Sequence, residues 1–294
     1  YREIERAKTI HQTTVQTIHT ALEAIRRDTS FAQHSIETAA EEIVSSIERN
    51  PDALISLSQI KGYDEYTYVH SVNVGVLVSS LAREMDYGRD EVLQVAIGGL
   101  LHDIGKMRVP ESILNKPGKY VDWEFSIMKK HPVHGLAILN ERKGDFSDTV
   151  KHIVGQHHER YGGKGYPLGL KGTQIREVGI MGAVADVYDA LTTDRVYRPA
   201  WRPQKALAHI FKGCDVDYAG YIVERFTRYL GIYPVGSFVK LASGEMGVVI
   251  RVDRGHLLAP RVLCSSIAIS AVYRRRSSTT SWRNNRQMAA QITG

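Results

Sequence analysis

The stretch Leu-Leu-His-Asp-Ile-Gly-Lys-Met-Arg-Val-Pro at residues 100–110 decides how this chain is read. It sets an imidazole, His102, beside a carboxylate, Asp103, and adds an ammonium, Lys106, three residues further on. A His-Asp pair alone is common and proves little. Its weight comes from what lies outward of it at regular intervals. His70 lies 32 residues before His102, His131 lies 28 after Asp103, His157 lies 26 after His131, and Asp186 lies 28 after His158. A helix of roughly 12 residues, a turn, a second such helix and another turn use about that much chain, so an up-and-down helical chain would return each group to the same end of a bundle. A single histidine on an apolar helix face is ordinarily a core or surface residue bonded to backbone. The joint pattern of His70, His102, Asp103, His131, His157, His158 and Asp186 is what points to a metal centre. Imidazole with carboxylate suits Fe, Mn, Zn or Ni rather than Ca or Mg. Seven ligands exceed what one ion with an open position accepts, so two ions are expected, with Asp103 as the bridging carboxylate. The other histidines, His11, His19, His34, His134, His152, His209 and His256, have no such arrangement and read as structural or solvated.

Further stretches share this order: DEYTYVHSVNV at 64–74, HPVHG at 131–135, QHHERYGGKGYPLGLKG at 156–172 and ADVYDALTTDRVYRPA at 185–200. Together with the 100–118 stretch they resemble the HD-GYP domain, a bacterial branch of the HD metal-dependent phosphohydrolases, from Asp64 to about Gly236. The resemblance implies an all-helical fold and hydrolysis of the second messenger cyclic di-GMP. It also implies substrate contacts at Arg195 and Arg198, the latter a position where many relatives carry Lys. It gives the Gly165-Tyr166-Pro167 loop a part in substrate specificity and in contact with diguanylate cyclase domains.

The chemistry is consistent with that implication. Metal ions lower the pKa of bound water and neutralise charge developing on phosphorus, which makes Asp103 the central catalytic carboxylate. Lys106, three residues on, would project from nearly the same helix face and meet the scissile phosphate as a point charge. A guanidinium fork at Arg195 or Arg198 suits the second phosphate. Residues 161–169 hold four glycines in nine positions, so they form a loop at the rim of the cavity. Tyr166 in that loop either stacks on a guanine face or packs inward. Some family members hold a third metal with a glutamate four residues before the first histidine. Here that position is Tyr66, and Glu65 would be rotated roughly 140° away on a helix. A two-metal site and linear pGpG, rather than GMP, are therefore expected. Two alternatives stand beside this reading: an HD-type phosphohydrolase for another nucleotide such as cyclic GMP-AMP, and a non-catalytic module binding a cyclic dinucleotide or a cyclase. The full ligand set argues against the second, the Gly-Tyr-Pro loop against a general nucleotide hydrolase.

The expected fold class is mainly α: an HD-type helical bundle with an N-terminal helical extension and a small C-terminal β-hairpin module. Residues 1–50 read as a helical linker or dimerisation segment, because Ile4, His11, Ile18 and Ile25 fall on a seven-residue lattice that suits a homodimer seam or packing on the chain's own domain. Residues 51–233 form the catalytic domain. Residues 234–256 read as a β-hairpin turning at Ser243-Gly244. Residues 257–294 read as a basic, disordered tail, or as the product of a shifted reading frame. That tail carries six arginines and no acidic residue, while the whole chain has 38 Lys+Arg and 32 Asp+Glu. The first 256 residues are thus balanced, which argues against binding polymeric nucleic acid. Two cysteines, Cys214 and Cys264, make no disulfide framework. Apolar runs such as Val95–Leu101 are too short to span a membrane, and no signal peptide is visible. A cytoplasmic protein is expected, with an upstream domain left open because the chain begins at Tyr1.

Overall fold

A computed structural model of the chain describes residues 2–58, 66–141, 146–194 and 198–265. Asp64, Glu65, Arg195, the Tyr66 side chain and residues 266–294 of the expected tail lie outside the described residues. The chain divides into two units, Tyr1–Tyr229 and Leu230–Gly294.

The first unit is helical. In chain order it runs through α1 (Arg2–Arg26), α2 (Gln33–Arg49), α3 (Ala53–Ser58), α4 (Tyr66–Glu84), α5 (Arg89–Leu101), a 3₁₀ turn (Ile104–Arg108), α6 (Glu111–Leu114), α7 (Asp122–Met128), α8 (His131–Asn140), α9 (Asp148–Gln156), α10 (Glu177–Thr192), α11 (Pro203–Lys212) and α12 (Gly220–Leu230). Helix α4 is its axis. Every residue from His70 to Ala82 is buried, so the helix has no solvent face and shows none of the periodicity that marks a surface helix. Its Val72, Val74, Val76, Leu77, Val78 and Leu81 side chains are almost completely enclosed, each worth about 1.5–3 kcal/mol of transfer free energy. Helix α5 lies against it at unusually close range. A Cβ placed on Gly99 would stand 2.7 Å from Gly75 Cα, so only a glycine pair lets these backbones meet. That approach sets His70 and His102 with ring centroids 5.2 Å apart.

Amphipathic helices cover this core. The buried face of α1 is Ala7, Ile10, Thr14, Ile18, Ala21 and Leu22, packed on α2, α3 and α4. Ile18 of the seven-residue lattice is therefore enclosed within its own unit, while Ile4 is exposed. Helix α10 is also nearly all core, with Val178–Ala185, Asp186, Tyr188 and Asp189 buried.

The second unit holds β1 (Phe238–Lys240), β2 (Met246–Arg251) and β3 (Arg261–Ser265) in a three-stranded antiparallel sheet of order β1-β2-β3. The register pairs Phe238 with Val248 and Val248 with Leu263. The hairpin turns where expected, with Gly244 at φ 90°. The expected β1–β2 hairpin is present, and one expectation is corrected: residues 261–265, assigned to the tail, form a third strand that pairs with β2. Arg-Val-Leu-Cys-Ser is short and flanked by a basic, hydroxyl-rich sequence, which hid a strand that exists by pairing with β2.

Candidate metal centre

Four of the candidate ligands lie at the ends of helices or turns. His102 caps the C-terminus of α5, Asp103 opens the 3₁₀ turn, His131 begins α8, and His157 caps the C-terminus of α9. His70 lies in the first turns of α4 and Asp186 in the second half of α10. The expected alternation of long helices holds between His70 and His102 and between His131 and His157. Between Asp103 and His131 the chain instead uses the 3₁₀ turn and the short α6 and α7, and between His158 and Asp186 the glycine-rich loop.

The structure brings together the seven residues of the sequence pattern. One group joins Asp103, His131, His157 and His158, another His70, His102 and Asp103, with the ligand atoms of each group within 4.8 Å of one another. Asp103 belongs to both, one oxygen to each. Its Oδ1 lies 3.3 Å from His131 Nε2 and 3.7 Å from His157 Nε2, while its Oδ2 lies 3.2 Å from His102 Nε2 and 3.9 Å from His70 Nε2. Asp186 straddles the groups as well, with Oδ1 3.1 Å from His70 Nε2 and Oδ2 3.9 Å from His158 Nδ1.

The imidazoles are oriented from behind. Nδ1–H of His102 donates to Gly99 O at 2.8 Å, that of His131 to Met128 O at 2.8 Å, and that of His157 to Val154 O at 3.0 Å. A backbone carbonyl can only accept, so in the neutral ring the proton sits on Nδ1 and the Nε2 lone pair points towards Asp103. His70 is held by a carboxylate instead, its Nδ1 2.8 Å from Asp189 Oδ2. His102 Nε2 and Asp103 Oδ1 are buried yet make no hydrogen bond. Buried polar atoms without partners are costly, and here they converge from imidazole and carboxylate, the donor set of Fe, Mn, Zn or Ni. The residues fit divalent transition ions.

Electrostatics agree with that fit. Burial pushes His157 from its ordinary 6.5 down to about 4, and burial together with the neighbouring His157 holds His158 well below its usual range. Both rings are neutral at pH 7, the form that ligates. Burial opposes ionisation of Asp103, but His102 and Lys106 outweigh it and hold the carboxyl well below its usual range; the His70 hydrogen bond and His158 do the same for Asp186. His70 runs the other way. Burial opposes its charge, yet the hydrogen bonds to Asp186 and Asp189 carry it up to about 9.

The residues expected to touch substrate are more dispersed. Lys106 Nζ lies 2.5 Å from Asp103 Oδ2, at the edge of the cluster. The two belong to a 3₁₀ turn rather than an α-helix, and in that geometry positions i and i+3 eclipse. Tyr166 stacks on His158 with centroids 4.6 Å apart and planes 24° apart, so one ring face backs that imidazole. Its neighbour across the rim is Phe125, 6.3 Å away and nearly perpendicular. Arg198 is not drawn into the cluster: its guanidinium donates to Ala190 O at 2.5 Å and lies 5.5 Å from the Trp201 ring centroid. The glycine-rich loop has positive φ at Gly163 and Gly169, as its composition suggested. It is pinned by a residue sequence reasoning passed over. Glu159 is buried and accepts from Leu168 N at 2.8 Å and Leu170 N at 3.0 Å.

Asp189 and His11 were passed over too. Asp189 had a signal, its place three residues after Asp186 on the same helix. His11 had none, because its partner Asn73 is 62 residues away. Cys214 and Cys264 are free, and no helix among the described residues is long and apolar enough to cross a membrane.

Comparisons with known proteins follow the same line. A family model described as HD domain matches residues 42–219. A cyclic di-GMP phosphodiesterase of Pseudomonas aeruginosa is 42% identical over 247 residues, covering 82% of this chain and 59% of that protein. A cyclic di-GMP phosphodiesterase of Vibrio cholerae is 45% identical over 131 residues, covering 43% of this chain and 27% of that protein. The chain thus spans less than two thirds of the length of these curated relatives. The solved structure of an HDG"Y"P protein from Bdellovibrio bacteriovorus matches with a TM-score of 0.64 at 23% identity, over 76% of this chain and 71% of that one. At that identity the likeness speaks for the fold.

Proposed function

Because the chain belongs to the HD domain family, we propose that it hydrolyses a phosphodiester bond of cyclic di-GMP at a binuclear centre held by His70, His102, Asp103, His131, His157, His158 and Asp186. The observation that carries this reading is Asp103, whose two oxygens each face a separate set of imidazoles. Fe or Mn suits the site best, with Zn or Ni accepted by the same donors. Two such ions supply an activated water at neutral pH and charge stabilisation at phosphorus. The chain's own residues supply the rest. Asp103 and Asp186 hold the two halves in register. His158 is braced from behind by Tyr166. Lys106 brings its ammonium to the cluster edge, where it meets a phosphate oxygen as a point charge. The glycine-rich loop, fixed by Glu159, shapes the entrance and is the surface for a diguanylate cyclase partner. With Tyr66 in place of a third-metal glutamate, hydrolysis stops mainly at linear pGpG.

The test is chromatography of cyclic di-GMP, and of cyclic GMP-AMP, incubated with anaerobically purified protein loaded with Fe(II) or Mn(II), beside a His102→Ala/Asp103→Ala variant. Formation of pGpG by the unsubstituted protein alone supports the reading. Intact cyclic di-GMP under every metal refutes it, and preferential loss of cyclic GMP-AMP reassigns the substrate.

A further inference from the structure

Behind the metal cluster lies a hydrogen-bonded chain that leaves the site and ends on the first helix. His70 Nδ1 donates to Asp189 Oδ2 at 2.8 Å, and Asn73 Nδ2 donates to Asp189 Oδ1 at 3.0 Å. Asn73 Oδ1 in turn stands 3.1 Å from His11 Nε2. Asn73 and Asp189 are both buried. Each stands three residues after a ligand on the ligand's own helix, Asn73 after His70 on α4 and Asp189 after Asp186 on α10.

The polarity of this chain is fixed at every link. An ionised carboxylate only accepts, so Asn73 must present its amide N–H to Asp189 and its carbonyl oxygen to His11. His11 must then carry its proton on Nε2. His70 must carry a proton on Nδ1, so that its Nε2, which shares a proton with Asp186 in the absence of metal, is the nitrogen a bound ion would take. Helix α1, which supplies no ligand, thereby sets the orientation of one.

We propose that Asp189 is a positioning residue for the His70 ligand, and that His11, acting through Asn73, couples the packing of helix α1 to metal retention in the His70–His102–Asp103 half of the centre. This rests on the metal-centre reading above. Asp189→Asn keeps the shape but offers an amide N–H to His70 Nδ1, which favours the tautomer with its proton on Nε2 and removes the donor lone pair. His11→Leu breaks the outer link. His11→Gln restores it, since a side-chain amide N–H still reaches Asn73 Oδ1.

The experiment follows the full chain loaded with Mn(II), measuring bound Mn by elemental analysis and its release into excess chelator by the EPR signal of free Mn(II). Relative to the unsubstituted protein, Asp189→Asn should release one of the two ions about 10–100-fold faster. His11→Leu should also accelerate release, His11→Gln should return it to the starting rate, and Thr9→Ala, an exposed change on the same helix, should leave it alone. Equal release rates for Asp189→Asn, His11→Leu and the unsubstituted protein overturn the proposal while leaving the metal reading intact. Should Asp189→Asn fail to fold, the His11 pair decides: acceleration by Leu without rescue by Gln reduces His11 to a packing residue and overturns the coupling. An unsubstituted protein that binds no Mn at all, like His102→Ala/Asp103→Ala, overturns the metal reading and the proposal with it.

Discussion

Replacing Gly105 by alanine tests how the two halves of the site are held together. Gly105 sits in the 3₁₀ turn between Asp103 and Lys106, and its Cα faces the first turn of α8. A Cβ there would stand 1.9 Å from His131 O and 2.3 Å from Gly135 N. Both are backbone atoms, so no rotamer change relieves the clash. The turn and the helix must part by about 1.1 Å before the contact reaches even the 3.0 Å floor seen for real Cβ atoms. Overpacking of this kind costs about 1–3 kcal/mol, and a rigid neighbour puts it at the upper end. For a unit of this size, about 3 kcal/mol lowers the midpoint of thermal unfolding by about 6–12 °C. The displacement has a second consequence. Asp103 Oδ1 is 3.3 Å from His131 Nε2, so moving the turn off α8 pulls the Asp103 carboxylate away from the His131–His157 side. Misplacement by about 1 Å costs roughly 10²-fold in rate. Circular-dichroism melting with elemental analysis after dialysis reads both effects. Gly172→Ala, whose φ is positive but which has nothing within 4 Å of the added carbon, controls for backbone strain without overpacking. A Gly105→Ala protein that melts within about 1 °C of the parent and keeps its metal would falsify the reasoning.

Other outcomes follow from the same geometry. Lys106→Ala should slow turnover by about 10²-fold while leaving metal content nearly unchanged, as for loss of one charge-stabilising donor; lost metal would show instead that the lysine supports the site. The chelator-stripped protein should be most stable near pH 6.5. His157, depressed to about 4, binds a proton more readily when unfolded, so stability is lost as pH falls from 6.5 towards 4. His70, raised to about 9, contributes stability that is complete below 6.5 and disappears as pH rises towards 9. A flat melting profile from pH 4 to 9 would contradict both assignments. Truncation after residue 265 should preserve the β-sheet unit, whereas truncation after residue 258 removes β3 and leaves one edge of β2 unpaired; equal amide-exchange protection of β2 in the two shortened chains would count against the three-stranded pairing.

Much of the site was legible because ligation needs particular residue types. The seven His and Asp positions could be picked out by chemistry and spacing before any packing was known, and the structure gathers six of them within two overlapping groups, with Asp186 3.1 Å from His70 beside them. The supporting residues were illegible for the opposite reason. His11, Asn73 and Glu159 are ordinary polar residues whose meaning lies in a partner brought near by the fold, over 62 residues in the case of His11 and Asn73. The spacing argument brought these residues together by a partly wrong route. Between Asp103 and His131 the chain uses a 3₁₀ turn and two short helices, where two longer ones were expected. Helix α4 gave no periodic signal because it is buried on every side. Strand β3 was missed because a short edge strand is specified by its partner more than by its own composition.

The most direct test of the central claim is anomalous diffraction at the Mn edge from crystals of the Mn(II)-loaded protein. Two anomalous peaks about 3.5–4 Å apart, one on each side of Asp103, are the predicted result, with His70 and His102 at one and His131 and His157 at the other. A single peak, or Mn bound away from Asp103, would contradict the account.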